Sequence, residues 1–514
     1  MQSRKSAIII GVAAVAATAI IIAVAIIIIP EPVRKGGQGP SGNNASNTTN
    51  EVRVNREYKI STTTGAINSP YATEYKLSNG TWPSGTMVDS RGNLWTVGSR
   101  SDALLKFDPT TGIVKSYPLP NAGAGSSVGL VWAMVEAKDG SIWFSGFGGN
   151  NPLWRFDPNL EKFEAVDSLS ASPIQMKVDK NGNIWYTTLF RGVIGAIVAN
   201  QEGAEGSQKY NVKELDLGKD SFPSGLFLQN QTLWITESVN GKIALFHITP
   251  GDGGKSIADV KKVAEFPQQE TLFSPTDIIM NNGSAWLTEH GTSFLTEYNT
   301  KTQEVKRYPT ALHPIQISTL PYWLAEDPDE KGVWFNEHRG NRIAFFDFGS
   351  RTLTEYEVPT RNPQMGYTAN VLTMAADPTN ENRAWFTEWS EDKIGYIDKS
   401  VSIPFGIHTP DKQIILEKGQ TANLSIEITR NPKVELFNKT LSFNASSSAV
   451  QSGVLLNATA SFTPESIDLS KIIATQTVMF ELKDQGIRQG QHILAVSATD
   501  GAVIRTVYLE LVVK

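Results

Sequence analysis

Four glutamates at equivalent positions are the residues most able to do chemistry. Each lies three residues after a tryptophan, and they are Glu237, Glu289, Glu337 and Glu388. Carboxylates gathered at one place repel each other, and a hard divalent cation such as Mg²⁺ or Ca²⁺ relieves that repulsion. One interpretation is therefore a Mg²⁺ or Ca²⁺ site, with no organic cofactor. The other is that each glutamate only accepts hydrogen bonds from the tight turn that follows it in its own repeat.

Histidines lie beside two of these glutamates. His290 and His338 directly follow Glu289 and Glu337, and His313 lies in the long segment before Trp334. A histidine next to a carboxylate can act as a general base. His338 and His313 are thus candidate catalytic residues and His290 a candidate ligand contact. The alternative is a partly exposed loop histidine without a partner.

Two adjacent aromatic residues, Tyr322 and Trp323, follow Pro321 where an innermost strand is expected to begin. They are candidate ligand contacts, because aromatic faces offer a large apolar stacking surface. Packing in the core between repeats is the equally simple alternative.

An internal repeat positions all of these residues. Tryptophans that follow a Gly, Asn or Ser turn recur 42 to 52 residues apart. They are Trp95, Trp143, Trp185, Trp234, Trp286, Trp334 and Trp385. A period of 40 to 50 residues with strand-type content is typical of β-propeller blades. The sequence therefore predicts an all-β fold built on a seven-bladed β-propeller at residues 55–401.

The ends of the predicted propeller differ from its middle. The seventh repeat lacks an obvious outer strand, whereas residues 71–77 before the first repeat look like one, so we expect this N-terminal strand to close the ring. From residue 402 to 514 the repeat is replaced by short alternating strands. This pattern predicts a C-terminal immunoglobulin-like β-sandwich.

The N-terminus carries the strongest local signal. Residues 7–29 are an unbroken run of apolar and small residues, long enough to cross a hydrocarbon core of about 30 Å. We expect a cytoplasmic tail at 1–6, a single transmembrane anchor at 7–29 and a flexible linker at 30–54 rich in Gly, Ser, Asn and Thr. A cleaved signal peptide is the alternative, although its apolar region is normally only about 7 to 15 residues.

Glycosylation sequons favour an extracytoplasmic body for this single-pass cell-membrane protein. All follow the anchor, at Asn44, Asn47, Asn79, Asn230, Asn282, Asn423, Asn438, Asn444 and Asn457. The chain has no cysteine, which removes disulfides and thiolate chemistry. Its 46 basic and 52 acidic residues form no basic stripe, so nucleic acid is not an expected partner.

Blade motifs across residues 70–400 resemble the virginiamycin B lyase (streptogramin B lyase) family. They are Gly-Asn-Leu/Ile-Trp at 92–95 and 182–185, Trp-Phe-Thr-Glu at 385–388, Lys-Ile-Gly-Tyr-Ile at 393–397 and Thr-Glu-Tyr at 354–356. The resemblance implies a seven-bladed propeller and, in true lyases, Mg²⁺-assisted elimination that opens the ester of a cyclic depsipeptide.

The family's catalytic pattern is not matched. The resemblance implies a histidine directly after a proline at the start of an innermost strand, yet the corresponding residues here are Ser84, Ile174, Ser224, Thr276, Tyr322 and a stretch around Asn370. The family's catalytic glutamate position is occupied by His338 and Trp389, one residue beyond Glu337 and Glu388. The lyase resemblance therefore predicts the fold more firmly than the activity.

Two functions of different class follow from the sequence. The first is a surface ligand-binding or scaffold protein whose partners are carbohydrate, peptide or cell-envelope proteins. The second is a Mg²⁺-dependent carbon–oxygen lyase or lactone-cleaving enzyme that acts at the propeller mouth. The unmatched histidine position and the anchor favour the first.

Overall fold

β-Strands form nearly all of the regular structure in the computed structural model, which describes residues 55–514 except 121–127, 148–152, 167–168, 200–209, 252–255 and 269–270. The helices in this described part are short 3₁₀ turns at Pro363–Met365, Trp389–Glu391 and Leu469–Lys471. The predicted all-β fold is confirmed. No described helix is long and apolar enough to cross a membrane, and the predicted anchor and linker lie outside the described residues.

The first three repeats each contribute four strands to one antiparallel sheet, here called blades 1 to 3. They follow three N-terminal strands, β1 (Arg56–Lys59), β2 (Thr62–Thr63) and β3 (Ala72–Lys76). Blade 1 contains β4 (Pro83–Val88), β5 (Leu94–Gly98), β6 (Ala103–Asp108) and β7 (Ile113–Pro118). β1 adds a fifth strand to this blade by pairing with β7. Blade 2 contains β8 (Leu130–Glu136), β9 (Ile142–Phe147), β10 (Leu153–Asp157) and β11 (Lys162–Val166). Blade 3 contains β12 (Gln175–Val178), β13 (Ile184–Thr188), β14 (Val193–Ala199) and β15 (Tyr210–Asp216).

The next four repeats continue the pattern as blades 4 to 7. Blade 4 contains β16 (Pro223–Gln229), β17 (Thr232–Glu237), β18 (Lys242–Pro250) and β19 (Ile257–Phe266). Blade 5 contains β20 (Pro275–Asn281), β21 (Ser284–Glu289), β22 (Phe294–Asn299) and β23 (Val305–Pro309). Blade 6 contains β24 (Pro321–Glu326), β25 (Gly332–Glu337), β26 (Arg342–Asp347) and β27 (Thr352–Glu357). Blade 7 contains β28 (Val371–Ala376), β29 (Arg383–Glu388) and β30 (Lys393–Asp398) from its own repeat.

The N-terminal strand closes the ring. β3 pairs antiparallel with β30, so the fourth strand of blade 7 comes from the other end of the repeat array. Each innermost strand contacts the next one around the ring, and β28 contacts β4. The seven blades thus form a closed disc, and closure removes the free sheet edges that an open array would expose.

The repeated tryptophans explain why each blade packs. Trp95, Trp185 and Trp385 are almost completely buried on the second strand of their blades. Their indole N–H groups donate to Asp89, Asp179 and Asp377 at 2.8 to 3.1 Å, in the turn after the innermost strand. Burial of a large ring contributes apolar area, and the aspartate satisfies its one polar atom.

The C-terminal region forms two sheets. Its strands are β31 (Phe405–His408), β32 (Gln413–Leu416), β33 (Thr421–Arg430), β34 (Thr440–Ser447), β35 (Ala458–Thr463), β36 (Ser466–Asp468), β37 (Thr475–Asp484), β38 (Gly490–Thr499) and β39 (Val503–Val513). One sheet has the order β31-β33-β37-β35, and the other contains β39, β38, β34 and β36 with β32 beside β39. The immunoglobulin-like assignment stays a prediction, and the predicted boundary at 401/402 lies between β30 and β31.

This C-terminal region is joined to blade 6 by a continuous sheet. β39 pairs antiparallel with β27, with Leu353 opposite Thr506 and Tyr356 opposite Val503. The outer edge of blade 6 is therefore covered by a strand of the C-terminal region. The sequence pattern did not predict this junction.

Candidate functional site

One end of the ring, the upper mouth, is built by the same backbone contact in several blades. The residue after the second strand donates its N–H to the carbonyl of the residue before the innermost strand, at 2.9 to 3.1 Å. These pairs are Ser99 with Trp82, Ser238 with Phe222, His290 with Ser274 and His338 with Leu320. The repeat therefore places the residues at these two positions of each blade around one opening.

Aromatic and apolar side chains pack together at the upper mouth, where Trp82, Leu130, Phe222 and Tyr322 remain partly exposed. The cluster consists of Trp82, Leu130, Trp132, Ile174, Leu189, Phe222, Tyr322, Leu372 and Trp389. The rings of Trp82 and Trp389 meet edge to face at 4.6 Å between centroids, and those of Trp132 and Tyr322 at 5.6 Å. Edge-to-face geometry is favourable for aromatic pairs.

Two of these residues have a strained backbone. Trp82 and Phe222 adopt the left-handed region, with φ of 52° and 48°, directly before the proline that begins an innermost strand. Bulky residues rarely adopt this conformation, and such strain is concentrated at functional sites.

The rings of His290, Tyr322 and His338 come together at this mouth. The ring of Tyr322 lies 4.7 Å from that of His290 and 6.2 Å from that of His338, measured between centroids. Burial lowers the pKa of His290 to about 3 and the pKa of His338 to about 4, and the nearby Arg339 adds to both effects. Both imidazoles are therefore neutral at pH 7.

His338 and His313 have different environments. Nδ1 of His338 is buried and accepts no hydrogen bond from the described residues. Nδ1 of His313 instead accepts backbone N–H groups from Ile315 at 3.2 Å and Gln316 at 3.0 Å. His313 thus stabilises its own loop. Burial is the main reason that the pKa of His313 is lowered to about 4; Arg342 and Arg361 also lower it, whereas Glu357 raises it. Of the two predicted alternatives for a base, Nδ1 is engaged by its own loop in His313 and is not engaged by the described residues in His338.

Glu237 and Glu289 are paired within their own blades. Oε1 of Glu237 lies 3.0 Å from Nζ of Lys262, on the outer strand β19. Oε1 of Glu289 lies 3.2 Å from Nε of Arg307 on β23 and accepts a hydrogen bond from Thr296 at 2.6 Å. Both carboxylates are buried, so these partners compensate the cost of removing a charge from water.

Glu337 and Glu388 each face a second glutamate, and Oε2 of Glu337 also lies 3.7 Å from Nη1 of Arg342. Neither oxygen of either residue accepts a hydrogen bond of normal geometry from the described residues. Burial, together with the adjacent Glu355, raises the pKa of Glu337 well above its usual value, and burial with Glu74 does the same for Glu388. We infer that these two side chains carry the proton of a carboxyl pair.

The four glutamates therefore do not converge on a shared point. Each lies against the third or fourth strand of its own blade, and Glu237 also accepts a hydrogen bond at 2.8 Å from Nδ2 of Asn240 in the turn that follows it. Within the described part of the chain, no three histidine, cysteine or acidic side chains are placed so that they could hold a metal ion.

Tyr322 and Trp323 contribute to different parts of the channel, although their ring centroids lie only 5.6 Å apart. Tyr322 belongs to the upper mouth, whereas the half-buried Trp323 lines a second cavity. A hydrogen bond crosses the ring, from Nε2 of Gln175 to Oδ1 of Asp277 at 2.7 Å. Oδ2 of Asp277 accepts the N–H of Leu324 at 2.8 Å, and burial raises the pKa of Asp277 to about 6.

Sequence reasoning missed Trp82, Trp132 and Phe222 as mouth residues. A usable signal existed for Trp82 and Phe222, because each directly precedes the proline that opens a repeat. Trp132 carries no such mark, since its blade has no proline at that position.

Solved structures similar to this chain include a streptogramin B lyase, a virginiamycin B lyase and a protein with WD40 repeats. A streptogramin B lyase is 22% identical over 64% of this chain and 97% of its own, with a TM-score of 0.49. Virginiamycin B lyase from Staphylococcus aureus is 21% identical over 64% and 98%, with a TM-score of 0.48. The RRP9 WD40 repeats are 10% identical over 66% and 99%, with a TM-score of 0.47.

No protein-family model and no curated protein matches the chain. The predicted resemblance to streptogramin B lyases is confirmed among the solved structures, and at this identity it concerns the β-propeller alone. The fold itself rests on the order and closure of the sheets.

Proposed function

We propose that this chain is a membrane-anchored surface protein whose propeller binds a peptide or glycan of the cell envelope at the upper mouth. The observation that carries the proposal is the aromatic cluster at that mouth, formed by residues of several blades. Aromatic rings contribute large apolar area with little conformational entropy to lose on binding.

Exposed apolar side chains on the same end of the ring support a protein or peptide ligand. Phe190, Val239, Ile315, Ile317 and Tyr367 lie on loops at this end and are between 41% and 83% exposed. Apolar side chains gathered around one opening add to the hydrophobic surface that a peptide can contact there. The loops thus extend the apolar surface of the mouth outward.

The extracytoplasmic placement is supported by the sequons. Within the described residues, the sequon asparagines Asn79, Asn230, Asn282, Asn423, Asn438 and Asn457 are exposed, and Asn444 is half-buried. Exposure is what glycan attachment needs.

Replacing Tyr322 with alanine should weaken ligand binding by at least about tenfold, because the ring contributes more than about 1.4 kcal/mol of contact. Envelope-derived peptide and glycan arrays, probed with the full chain in detergent, provide the measurement. Glu337→Gln is the matched control and should bind like the wild type, since Glu337 lies within its blade. Equal binding by Tyr322→Ala would contradict the proposal.

The second candidate is ester-cleaving chemistry with His338 as base, favoured by its unpaired Nδ1 at the mouth. Because the pKa of His338 is about 4, the base would be deprotonated above that pH. Activity on cyclic depsipeptides or lactones should then rise with pH around 4 and stay flat to pH 7. His338→Gln should abolish it. Absence of turnover with and without added Mg²⁺ would remove this candidate.

A further inference from the structure

A cavity opens at the end of the ring opposite the upper mouth. This lower cavity has a volume of about 450 Å³ and lies among the innermost strands of blades 1, 2, 3, 6 and 7. Small-molecule sites commonly have volumes of about 300 to 1,000 Å³. Its lining includes Trp132 of the upper mouth and Gln175, but neither His290 nor His338, so a ligand here would not contact these histidines.

Polar and apolar residues contribute similarly to the walls of the lower cavity, and the apolar ones provide a hydrophobic surface. The apolar residues include Val88, Val135, Val178 and Ala376, with the half-buried indole of Trp323 on one side. The backbone N–H of Trp323 donates to Oδ1 of Asn336 at 2.7 Å, which fixes the strand that carries the ring. A hydrophobic side chain of a ligand would bury its area against these walls.

Opposite charges face each other at the cavity. Lys177 on β12 and Glu326 on β24 come from blades 3 and 6, and Nζ of the lysine lies 3.8 Å from Oε1 of the glutamate. This distance is too long for a hydrogen bond, and the side chains remain 37% and 54% exposed. The third charged residue of the lining, Glu136, already accepts two hydrogen bonds from Ser90, at 2.7 and 3.0 Å.

A loose ion pair of this kind is easily replaced. Solvent-exposed pairs contribute little stability, so a ligand that separates Lys177 from Glu326 loses little. A ligand with both charges would restore two hydrogen-bonded ion pairs, which are stronger than the single long contact. The combination of two rim charges and one hydrophobic surface matches a zwitterion with a hydrophobic side chain.

We propose that the lower cavity binds a free α-amino acid with an apolar side chain. The ammonium group pairs with Glu326, the carboxylate pairs with Lys177, and the side chain lies against the hydrophobic surface beside Trp323. This site is independent of the ligand proposed for the upper mouth. It would make the propeller a two-ended binding protein.

Calorimetric titration of the full chain in detergent with L-phenylalanine tests the proposal. We expect saturable binding, at least about tenfold weaker for phenethylamine, which lacks the carboxylate, and for 3-phenylpropanoate, which lacks the ammonium group. Lys177→Met and Glu326→Gln should each weaken L-phenylalanine binding by a similar factor. Both residues are partly exposed, so these variants should fold, and their thermal unfolding is compared with that of the wild type.

The control variant is Phe222→Ala, which alters the upper mouth at a ring that packs against Phe190 and does not line the lower cavity, and it should bind L-phenylalanine like the wild type. Failure of that variant in the peptide and glycan arrays, with normal L-phenylalanine binding, would separate the two sites. The proposal is overturned if L-phenylalanine does not bind at millimolar concentration. It is equally overturned if the two one-charge analogues bind as well as the amino acid, or if folded Lys177→Met and Glu326→Gln proteins bind it normally.

Discussion

Replacing Glu74 with glutamine should lower the free energy of unfolding by about 3 kcal/mol, the usual cost of breaking a buried ion pair. Glu74 lies on the closing strand β3, and its Oε2 is 2.8 Å from Nζ of Lys393. Its carboxylate also accepts hydrogen bonds from the backbone N–H and the hydroxyl of Thr360, at 3.0 to 3.1 Å. The change leaves the ammonium group of Lys393 without its charged partner at the seam of the ring.

Glu388→Gln is the matched control, because this residue faces Glu74 but carries the proton. Glutamine resembles a protonated glutamate in size and in having a donor, so the change should cost less than about 1 kcal/mol. Chemical denaturation of both variants at pH 7 gives the comparison. Equal losses of unfolding free energy in the two variants would contradict the assignment of the negative charge to Glu74 and of the proton to Glu388.

The same pair gives the stability a pH dependence. The pKa of Glu388 is 4.5 in the unfolded chain and is raised above that value in the folded protein. At pH values between the unfolded-state pKa and the folded-state pKa, the folded state therefore holds a proton that the unfolded state has released. Stability therefore falls as the pH rises through that window. Glu388→Gln should remove this part of the slope, and its stability relative to the wild type should increase with pH.

The blade pattern could be predicted because it is local. Each tryptophan, its preceding turn and the following apolar strand lie within one repeat, and hairpin connections bring neighbouring segments together. The closing role of residues 71–77 followed from a missing strand at the other end of the array.

The sequence did not show whether the four glutamates meet at one point. Their partners lie on the third and fourth strands of each blade, away from the tryptophan motif that marks the glutamates. The Thr-Glu-Tyr segments at 73–75 and 354–356 supply the carboxyl groups that face Glu388 and Glu337, whereas the outer strands of blades 4 and 5 supply Lys262 and Arg307. A spacing from the tryptophan gives the strand end but not the direction of the side chain. Pairing each glutamate with the charged residue on the outer strand of the same blade would have predicted which way its side chain points.

The junction between β27 and β39 could not be predicted from either pattern. About 150 residues separate Glu355 from Thr506, whose hydroxyl donates to Oε2 of that glutamate at 3.4 Å. Such pairing depends on how the C-terminal region is placed against blade 6, which alternating hydrophobicity does not encode. It also places a buried charge network close to the junction.

Arg342→Met should give the largest loss of stability in the molecule, about 4 kcal/mol. The buried guanidinium lies 2.7 Å from Glu357 and 3.2 Å from Glu355, and it donates to the carbonyl of Ala311 at 2.9 Å. Methionine fills part of the space but leaves Glu355 a buried carboxylate without its cation. Because Glu355 also contacts Thr506, the loss should extend across the junction.

Hydrogen exchange of β27 and β39, measured alongside chemical denaturation, distinguishes a local from a shared effect. In Arg342→Met both strands should lose protection from exchange together. They are joined by one ladder of hydrogen bonds, and the charge network of Arg342 and Glu355 lies next to that ladder. Glu337→Gln is the control and should leave both strands protected, because Glu337 is the protonated member of its pair. Loss of protection in β27 alone would mean that the charge network stabilises blade 6 without stabilising its contact with the C-terminal region.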